Sequence, residues 1–450
     1  MARSSGPKVG LDIGSTTIKV AELISSRGGV SVRAVGMAPT PPDCMENNII
    51  IDAQLLGQAV KKLLKDSGIS SRQSVSSVSG QSALVVRVIE VPRMSDSELN
   101  ETMKWEVERH VPFAANEVIM DFQSIQRADT PADAQNMEVL LAVAQQDMID
   151  RHVEMLFAAG LQPKAIDVEP LAVARALIGL SEDPFGKKTV AMVNIGANNT
   201  DIGIFKDGIL SFPRTLPLAG VNFTRAISAQ MGIDEEQAEE YKKEYSDALQ
   251  QGAPQAPVMA DAGGFMDFAS EAPVAEPARI PFDFSPPEDT GFTDFSSQHV
   301  PEETSKLDMG EAHEQEDISH VPANIDNVDP TRAAVANALA PVLQELVSEM
   351  RRSLDYFRGR PSGGEIDELL ICGGSAKLKN LDKYLSRELG IPVHVANPLE
   401  RLQVAARNYS REYLDDVAPL LTVAVGLAAR DMCDTAPVAA AADGKRGRKK

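Results

Sequence analysis

The chain has 450 residues, of which 43% are hydrophobic and 24% charged, and its formal net charge is −21. This composition is typical of a soluble globular protein with two or three domains, and an acidic chain without a basic face is a poor candidate for binding nucleic acid. The three cysteines, Cys44, Cys372 and Cys433, have neither disulfide nor metal-ligand spacing, so we expect a reducing, cytoplasmic environment.

Nothing in the sequence predicts a membrane span. The N-terminus lacks the apolar core of a signal peptide, and the longest strongly apolar stretch, residues 420–429, is too short to cross a bilayer. Any contact with a membrane is therefore expected to be peripheral. The basic tail, residues 445–450, could add attraction to anionic lipid.

Strands and helices alternate along the chain, which indicates an α/β architecture. The helix that begins at Ser95 carries a capping-box signal, because Glu98 follows three residues later. The other predicted elements, in chain order, are a strand–turn–strand unit from residue 8, a helix over 53–67, strands within 75–91, strands over 118–125 and 138–144, a helix over 147–159, a second strand–turn–strand unit from 189, helices over 222–231, 234–245 and 331–357, a strand over 368–372, a helix over 378–389 and an apolar helix after 418.

Most of the acidic excess lies in one segment. Residues 247–330 contain 18 Asp and Glu residues against two basic ones, and such polar, proline-interrupted sequence predicts a disordered insertion. It also contains six of the fourteen phenylalanines, in short motifs of the type Phe-x-Asp-Phe or Phe-Asp-Phe. We expect these to dock on a basic, grooved partner or to fold back on the protein's own cleft. They are Phe265, Phe268, Phe282, Phe284, Phe292 and Phe295.

Two glycine turns, 182 positions apart, are alike and predict phosphate binding. One follows Asp12 and the other follows Asn194. Glycine permits close approach of the backbone, and such turns direct N–H groups toward an anion. We expect Asp12 to hold a magnesium ion through water and Lys19 to meet the β- and γ-phosphates. The residues predicted to contact the nucleotide here are Asp12, Gly14, Ser15, Thr16, Thr17, Lys19, Gly196, Asn198, Asn199 and Thr200.

A third glycine turn follows the predicted strand over 368–372. Its residues Gly373, Gly374, Ser375 and Lys377 lead into a helix, where the backbone can approach a base or an α-phosphate. Each turn alone could be an ordinary tight turn. The three together favour a nucleotide cleft between the halves of a duplicated α/β fold.

Several further blocks make the chain resemble a known family. Residues 90–99 read EVPRMSDSEL, 104–113 read KWEVERHVPF, 351–357 read RRSLDYF and 390–393 read GIPV. Together with the three turns, they resemble the actin-like ATPase superfamily and, within it, the PilM family of type IV pilus assembly. The resemblance covers residues 8–430 except the acidic segment.

The resemblance implies a two-lobed actin-like (ribonuclease H-like) α/β ATPase fold with an FtsA-type extra subdomain and a long disordered acidic insertion. The expected parts are lobe 1 with the first turn (8–91), the extra subdomain (92–162), the return of lobe 1 (163–188), lobe 2 with the second turn (189–246), the insertion (247–330), the remainder of lobe 2 with the closing helix (331–430) and a disordered basic tail (431–450).

The resemblance also implies roles for single side chains. Glu239 and Lys242 would hold the ribose of ATP, although spacing alone favours a solvated charged helix face. Glu169 would position the attacking water, or it is simply a surface acid before a proline. Asn194 stands where relatives commonly carry an aspartate that supports the water shell of magnesium. We therefore expect ATP and Mg²⁺ to bind, with slow or absent hydrolysis.

The implied function is a cytoplasmic, ATP-binding scaffold of type IV pilus assembly or a related secretion machine, serving pilus biogenesis and twitching motility. The extra subdomain would help bind the cytoplasmic N-terminal peptide of a PilN-like inner-membrane protein. Trp105, Val111 and Phe113 could line that groove, but we favour a core position for Trp105. The alternatives are an FtsA-like division protein, disfavoured because no amphipathic membrane helix is evident, and a small-molecule kinase, disfavoured because no further acidic base is evident.

Overall fold

The structure is a computed structural model and describes residues 8–26, 29–80, 83–127, 130–131, 134–180, 188–250, 329–404 and 409–433. These residues belong to one compact unit, formed by residues 1–254 and 328–450. The predicted phenylalanine motifs, most of the predicted acidic insertion and residues 434–450 of the predicted basic tail lie outside the described residues.

The described ranges contain sixteen strands and nine α-helices. The strands are β1 (Val9–Ile13), β2 (Thr17–Ser26), β3 (Gly29–Pro39), β4 (Met45–Glu46), β5 (Ile49–Ile50), β6 (Gln73–Val78), β7 (Leu84–Pro92), β8 (Val118–Ile125), β9 (Asn136–Gln145), β10 (Gln162–Val168), β11 (Thr189–Ile195), β12 (Thr200–Lys206), β13 (Ile209–Leu216), β14 (Glu368–Cys372), β15 (Val393–Val395) and β16 (Gln403–Val404). The helices are α1 (Ala53–Asp66), α2 (Asp96–His110), α3 (Gln146–Ala158), α4 (Glu169–Ala174), α5 (Gly220–Met231), α6 (Glu235–Tyr245), α7 (Pro330–Arg358), α8 (Leu381–Leu389) and α9 (Arg411–Ala428).

Lobe 1 is built on a six-stranded sheet with the order β10-β6-β1-β2-β3-β16. Strands β1, β2 and β3 form an antiparallel meander, and β6 runs parallel to β1. Helix α1 presents Leu56, Val60 and Leu64 at helical spacing, so that one stripe packs with α3 against the sheet. Helix α9 covers the apolar side chains of β2 and β3.

Lobe 2 repeats the same plan. Its sheet has the order β13-β12-β11-β14-β15, with β11, β12 and β13 as an antiparallel meander and β14 parallel to β11. Phe223 of α5 and Phe357 of α7 are fully buried against it. The two-lobed α/β fold predicted from the two similar turns is therefore confirmed.

The extra subdomain is a three-stranded antiparallel sheet, in the order β7-β9-β8, packed against α2. Ser95 caps α2, and the predicted capping box with Glu98 is present. Because β7 begins at Leu84, this sheet starts before the predicted boundary at residue 92. Helix α3, which was assigned to the extra subdomain, instead packs on α1 in lobe 1.

The prediction that Trp105 is a core residue is wrong. Met103 and Val107 of α2 are buried, whereas Trp105 is 69% exposed. Two residues along a helix correspond to a rotation of about 200°, which places Trp105 on the opposite face from Met103. Val111 is buried, and Phe113 is half-buried against the same cluster.

Three other boundaries differ from the sequence-based expectation. Strand β16 and α9 pack with lobe 1, although residues 331–430 were expected to complete lobe 2. Helix α8 begins at Leu381, because the third glycine turn itself continues as a 3₁₀ turn over Gly374–Lys377. The segment predicted to be inserted from residue 247 begins with ordered chain, since Asp247 pairs with Lys379 and accepts a hydrogen bond from Asn380.

Two side-chain contacts connect elements that are distant in sequence. The guanidinium carbon of Arg332, near the start of α7, lies 5.9 Å from the centre of the Tyr245 ring at the end of α6. His152 of α3 is buried with its Nε2 atom 2.8 Å from the Ser76 hydroxyl of β6. Among the helices of the described ranges, none has the length and apolar character needed to cross a membrane.

Candidate functional site

A cleft of about 1000 Å³ is lined by residues of both lobes. Its walls include all three glycine turns, the first residue of α4 and one face of α6. The predicted site residues that line it are Asp12, Gly14, Ser15, Thr16, Thr17, Lys19, Glu169, Asn194, Gly196, Asn198, Asn199, Glu239, Lys242, Gly373, Gly374, Ser375 and Lys377. Thr200 is not among the lining residues, because its side chain is buried and its hydroxyl donates to the Leu218 carbonyl at 2.6 Å.

The first two turns have the same hydrogen-bond pattern. The Gly14 N–H donates to the Thr17 carbonyl at 3.1 Å, and the Gly196 N–H donates to the Asn199 carbonyl at 3.0 Å. A hydroxyl from a neighbouring segment braces each turn: Thr40 donates to the Gly14 carbonyl and Ser375 to the Gly196 carbonyl. Both turns are therefore fixed by the protein itself.

The third turn requires glycine at Gly373. Its φ is +89°, and a Cβ atom there would overlap Asn194 Oδ1 and the Ile195 carbonyl oxygen. Gly374 has open space around its missing Cβ. The second and third turns thus pack directly against each other at the floor of the cleft.

Two carboxyl groups lie buried at this floor. Glu169 is 9% exposed and Asp201 is 7% exposed. Asn194 Nδ2 donates to Glu169 Oε2 at 2.8 Å, and the Thr215 hydroxyl donates to Asp201 Oδ1 at 2.5 Å. Burial and the neighbouring charges of Asp201 and Asp12 raise the pKa of Glu169 to about 8, and burial raises the pKa of Asp201 to about 6.

Asp12 and Lys19 form an ion pair on the lobe 1 side, with Lys19 Nζ 3.1 Å from Asp12 Oδ2. Both side chains are largely buried and line the cleft. Over the part of the chain that the structure describes, no three His, Cys, Asp or Glu side chains are arranged to hold a metal ion. A cation near Asp12 would consequently need oxygen ligands from a bound anion or from water.

The charged pair of α6 does not point into solvent. Lys242 Nζ pairs with Glu239 and donates to the Gly220 carbonyl and to the Thr224 hydroxyl, at 3.1 and 2.9 Å. The Thr224 hydroxyl also donates to Glu239 at 2.6 Å. Burial acts to raise the pKa of Glu239, but these hydrogen bonds outweigh it and the pKa is lowered. The pair therefore forms an ionised, pre-oriented wall of the cleft.

Comparison with known proteins identifies the family. Residues 10–249, more than half of the chain, match the family described as type IV pilus assembly protein PilM. The chain belongs to the PilM family. Among solved structures it is similar to a chain of the PilM–PilN type IV pilus biogenesis complex, with a TM-score of 0.69, 25% identity, and coverage of 94% of this chain and 98% of that one.

This PilM-family chain also has more distant relatives among cell division proteins. Residues 191–413 match the FtsA family. FtsA of Bacillus subtilis is 24% identical over 262 residues, which cover 53% of this chain and 58% of that protein. FtsA of Streptococcus pneumoniae is 21% identical over 268 residues, 55% of this chain and 57% of that protein. The matches thus span less than two thirds of these relatives.

Three side chains of the PilM-family cleft escaped the sequence reasoning. Asp201 follows the second turn in a strand, where an acid usually faces solvent. Thr224 is a hydroxyl residue that donates to Glu239, and Ser79 is one that lines the cleft together with Glu169; in both cases the other residue is distant in sequence. Of the three, only Asp201 could have been identified from the sequence, because it is the single acidic residue in the second turn and the strand that follows it, up to residue 206.

A second, smaller cavity of about 240 Å³ lies behind the same carboxyl groups. It is shared by the start of β7 in the extra subdomain and by β13 in lobe 2. Ser79, Glu169 and Asp201 line both cavities. In this PilM-family fold the acidic floor of the cleft is therefore adjacent to the junction between lobe 2 and the extra subdomain.

Proposed function

We propose that this PilM-family chain is an ATP-binding scaffold of type IV pilus assembly that acts mainly by binding nucleotide. The observation that carries the proposal is the convergence of three glycine turns and the α6 ion pair on one cleft of about 1000 Å³. That volume suits a nucleotide-sized ligand, and glycine turns with braced backbones suit its phosphates.

The residues present fit ATP with magnesium. The first two turns would take the phosphate oxygens, the third turn would accept the base or the α-phosphate, and Glu239 with Lys242 would hold the ribose. Asp12 would hold the water shell of a magnesium ion, which when bound neutralises phosphate charge. Lys19, already 3.1 Å from Asp12, would exchange part of that ion pair for phosphate oxygens.

The floor of the cleft supports slow or absent hydrolysis. A general base must be ionised, yet the pKa of Glu169 is raised to about 8 by burial and by nearby carboxylates. Its Oε2 atom also accepts a hydrogen bond from Asn194, a neutral amide that adds no negative charge beside a cation. We expect a turnover rate well below about 1 per second.

The proposed partner is the cytoplasmic N-terminal peptide of a PilN-like bitopic inner-membrane protein. Support comes from the similarity to a chain of the PilM–PilN complex along nearly its whole length. Nucleotide in the cleft would bias the lobes toward one arrangement and so change the affinity for that peptide, which is a population shift rather than a use of hydrolysis. Recruitment from the cytoplasm to the inner membrane would follow from this contact.

Calorimetric titration of the full chain with ATP and Mg²⁺ tests the binding proposal. Gly374→Leu places a bulky side chain in open space inside the cleft, and Gly364→Leu is the matched control, because the space around its missing Cβ is also open but it does not line the cleft. We expect wild type and the control to bind ATP and Gly374→Leu to lose binding without a loss of thermal stability. Equal binding by all three proteins would refute the cleft as the site.

The partner proposal is tested separately with a synthetic peptide of the PilN-like cytoplasmic tail. Fluorescence anisotropy of the labelled peptide should show binding whose affinity differs between ATP-saturated and nucleotide-free protein. If the affinity for the peptide is the same with and without ATP, the scaffold function would stand but the nucleotide-dependent switch would be refuted. No binding in either state, together with ATP-dependent filaments on lipid vesicles, would favour the FtsA-like alternative.

A further inference from the structure

The chain just after α6 is fastened to the chain just after the third glycine turn. Asp247 and Lys379 form an isolated parallel β-bridge, and the Ala248 N–H donates to the Lys379 carbonyl at 2.9 Å. Asp247 Oδ1 accepts a hydrogen bond from Asn380 Nδ2 at 2.8 Å, and Asp247 Oδ2 lies 3.0 Å from Lys379 Nζ. These contacts between residues 247–248 and 379–380 are called the clasp below.

The clasp lies directly behind the wall of the nucleotide cleft. Ser246, which precedes Asp247, lines the cleft, and so does Leu378, which precedes Lys379. Asp247 and Lys379 themselves are not among the residues that line it. The clasp therefore joins the α6 side of the cleft to its third-turn side without entering the space that a ligand would fill.

Packing alone holds the C-terminal half of α6 only weakly. Within the eleven described residues of this helix, only Ala238 is buried, and it lies in the first half. Tyr241 and Tyr245, farther along, are half-buried against the core of lobe 2. A segment with few buried apolar contacts opens locally at a low cost in free energy. The clasp is therefore well placed to keep the end of α6 against the third turn.

The donors of the clasp are oriented by their own surroundings. Asn380 has a left-handed backbone conformation, with φ of +58°, and its Oδ1 atom accepts a hydrogen bond from Lys383 at 3.1 Å. The amide nitrogen of Asn380 is thereby directed to Asp247, whose Oδ1 atom also accepts from the Leu249 N–H at 3.1 Å. Partial burial acts to raise the pKa of Asp247, but the contacts with Asn380 and Lys379 outweigh it and the pKa is lowered. The carboxyl is therefore an ionised acceptor with several donors.

We propose that Asp247 is a positioning residue for the adenosine part of the nucleotide, acting through the clasp. The inference deepens the proposed function and rests on it for the assignment of ribose and base to this side of the cleft. With the clasp closed, α6 and the third turn form a slot of fixed width. With the clasp open, the end of α6 can move away, while the first two turns stay braced by Thr40 and Ser375. Loss of Asp247 should therefore weaken the contacts with adenosine and spare those with the phosphates.

The experiment is calorimetric titration of the full chain with ATP and, separately, with ADP, both in the presence of Mg²⁺. If the slot is correctly formed in only about a tenth of the Asp247→Ala molecules, the affinity for each nucleotide falls about 10-fold. The ratio of the two affinities should stay as in wild type, because ATP and ADP share the adenosine and differ only in the γ-phosphate. Asp247→Asn, which can still accept from Asn380, should bind more tightly than Asp247→Ala. Lys379→Ala removes only an exposed ion pair and should bind as wild type does.

Asn380→Gly provides a second route to the same test, because it removes the amide donor at a left-handed position that glycine tolerates. It should weaken both nucleotides as Asp247→Ala does, and Asp247→Ala should cause no further loss in its background. The proposal is overturned if either single variant binds both nucleotides as wild type does, if the ratio of the two affinities changes, or if the two losses simply add.

The outcome also separates this inference from the proposed function. Unchanged ATP affinity in Asp247→Ala and Asn380→Gly, beside a wild type that binds ATP, would refute the role of the clasp alone. A wild type that does not bind ATP would refute the proposed function, and the adenosine role of Asp247 with it.

Discussion

The amide of Asn194 donates a hydrogen bond to the carboxyl of Glu169 across the floor of the cleft, with 2.8 Å between Nδ2 and Oε2. Asn194 lies on β11 of lobe 2. Glu169 is the first residue of α4, next to lobe 1. A carboxylate in place of the amide would face Glu169 and Asp201 and would repel both. The neutral side chain therefore links the two lobes where a charged one would push them apart.

Replacing Asn194 by aspartate should destabilise the nucleotide-free protein. The variant loses the N–H donor to Glu169 and adds a negative charge near two buried carboxyl groups, so we expect the free energy of unfolding to fall by about 1–3 kcal/mol at pH 8. Thermal unfolding without Mg²⁺ is the measurement. The control is Asn198→Asp, which changes an asparagine of the same turn that is farther from Glu169 along the chain. An equal loss of unfolding free energy in both variants would count against the hydrogen bond between Asn194 and Glu169 as the cause.

Stability should fall as pH rises through the neutral range, and Glu169→Gln should reduce that slope. The pKa of Glu169 is raised from 4.5 to about 8, so between these values the folded protein binds more protons than the unfolded chain. The contribution of Glu169 to the free energy of unfolding therefore decreases as the pH rises through this window.

Urea unfolding at pH 5.5 and pH 8.5 measures this dependence. Glu169→Gln mimics the protonated carboxyl, so its loss of stability between the two pH values should be smaller than that of wild type. Glu46→Gln, at an exposed position of β4, should leave the slope unchanged. An unaltered slope in Glu169→Gln would show that other groups cause the pH dependence.

The apolar face of α2 can be tested with two neighbouring residues. Met103 is fully buried, so Met103→Ala should cost about 2–5 kcal/mol of unfolding free energy. Trp105 is 69% exposed, so Trp105→Ala should change stability by less than about 0.5 kcal/mol. Chemical denaturation of the two variants is the measurement. A large loss in Trp105→Ala would mean that its ring is packed against other parts of the chain.

The contrast between these two residues also shows what the sequence could predict. Three glycine turns, a capping box and helical spacing are local patterns, and they were enough to predict the two-lobed fold and to nominate residues that the cleft brings together. The orientation of Trp105, the burial of Asp201 and the pairing of β16 with β3 depend on contacts between distant segments. The sequence does not predict strands β3 and β13. Each is the third strand of a meander, and the glycine-turn pattern marks only the first two strands.

His152 should make the protein less stable in acid, opposing the contribution of Glu169 where their pH windows overlap. Burial lowers the pKa of this side chain to about 4, so between pH 6.5 and pH 4 the unfolded chain binds a proton that the folded protein excludes. The free energy of unfolding then falls as pH falls, by up to about 3 kcal/mol. Glutamine at this position can still bond to Ser76 but does not titrate.

Denaturation of His152→Gln at pH 7 and pH 4.5 provides the measurement. The variant should lose less stability than wild type on acidification, even if it is somewhat less stable at pH 7. His394→Gln, on the exposed part of β15, should behave as wild type does. Identical acid sensitivity in all three proteins would remove His152 as its source.

The contact between Tyr245 and Arg332 has a consequence for the length of the chain that joins them. The guanidinium carbon of Arg332 lies 5.9 Å from the centre of the Tyr245 ring, so α6 and α7 are neighbours whatever connects them. A short linker could close this gap, and the entropy of closing a longer one grows only with the logarithm of its length. We therefore expect lobe 2 to tolerate exchange or shortening of the sequence between residues 250 and 329, or its replacement by a reporter domain, provided that Asp247 keeps its contacts with Lys379 and Asn380.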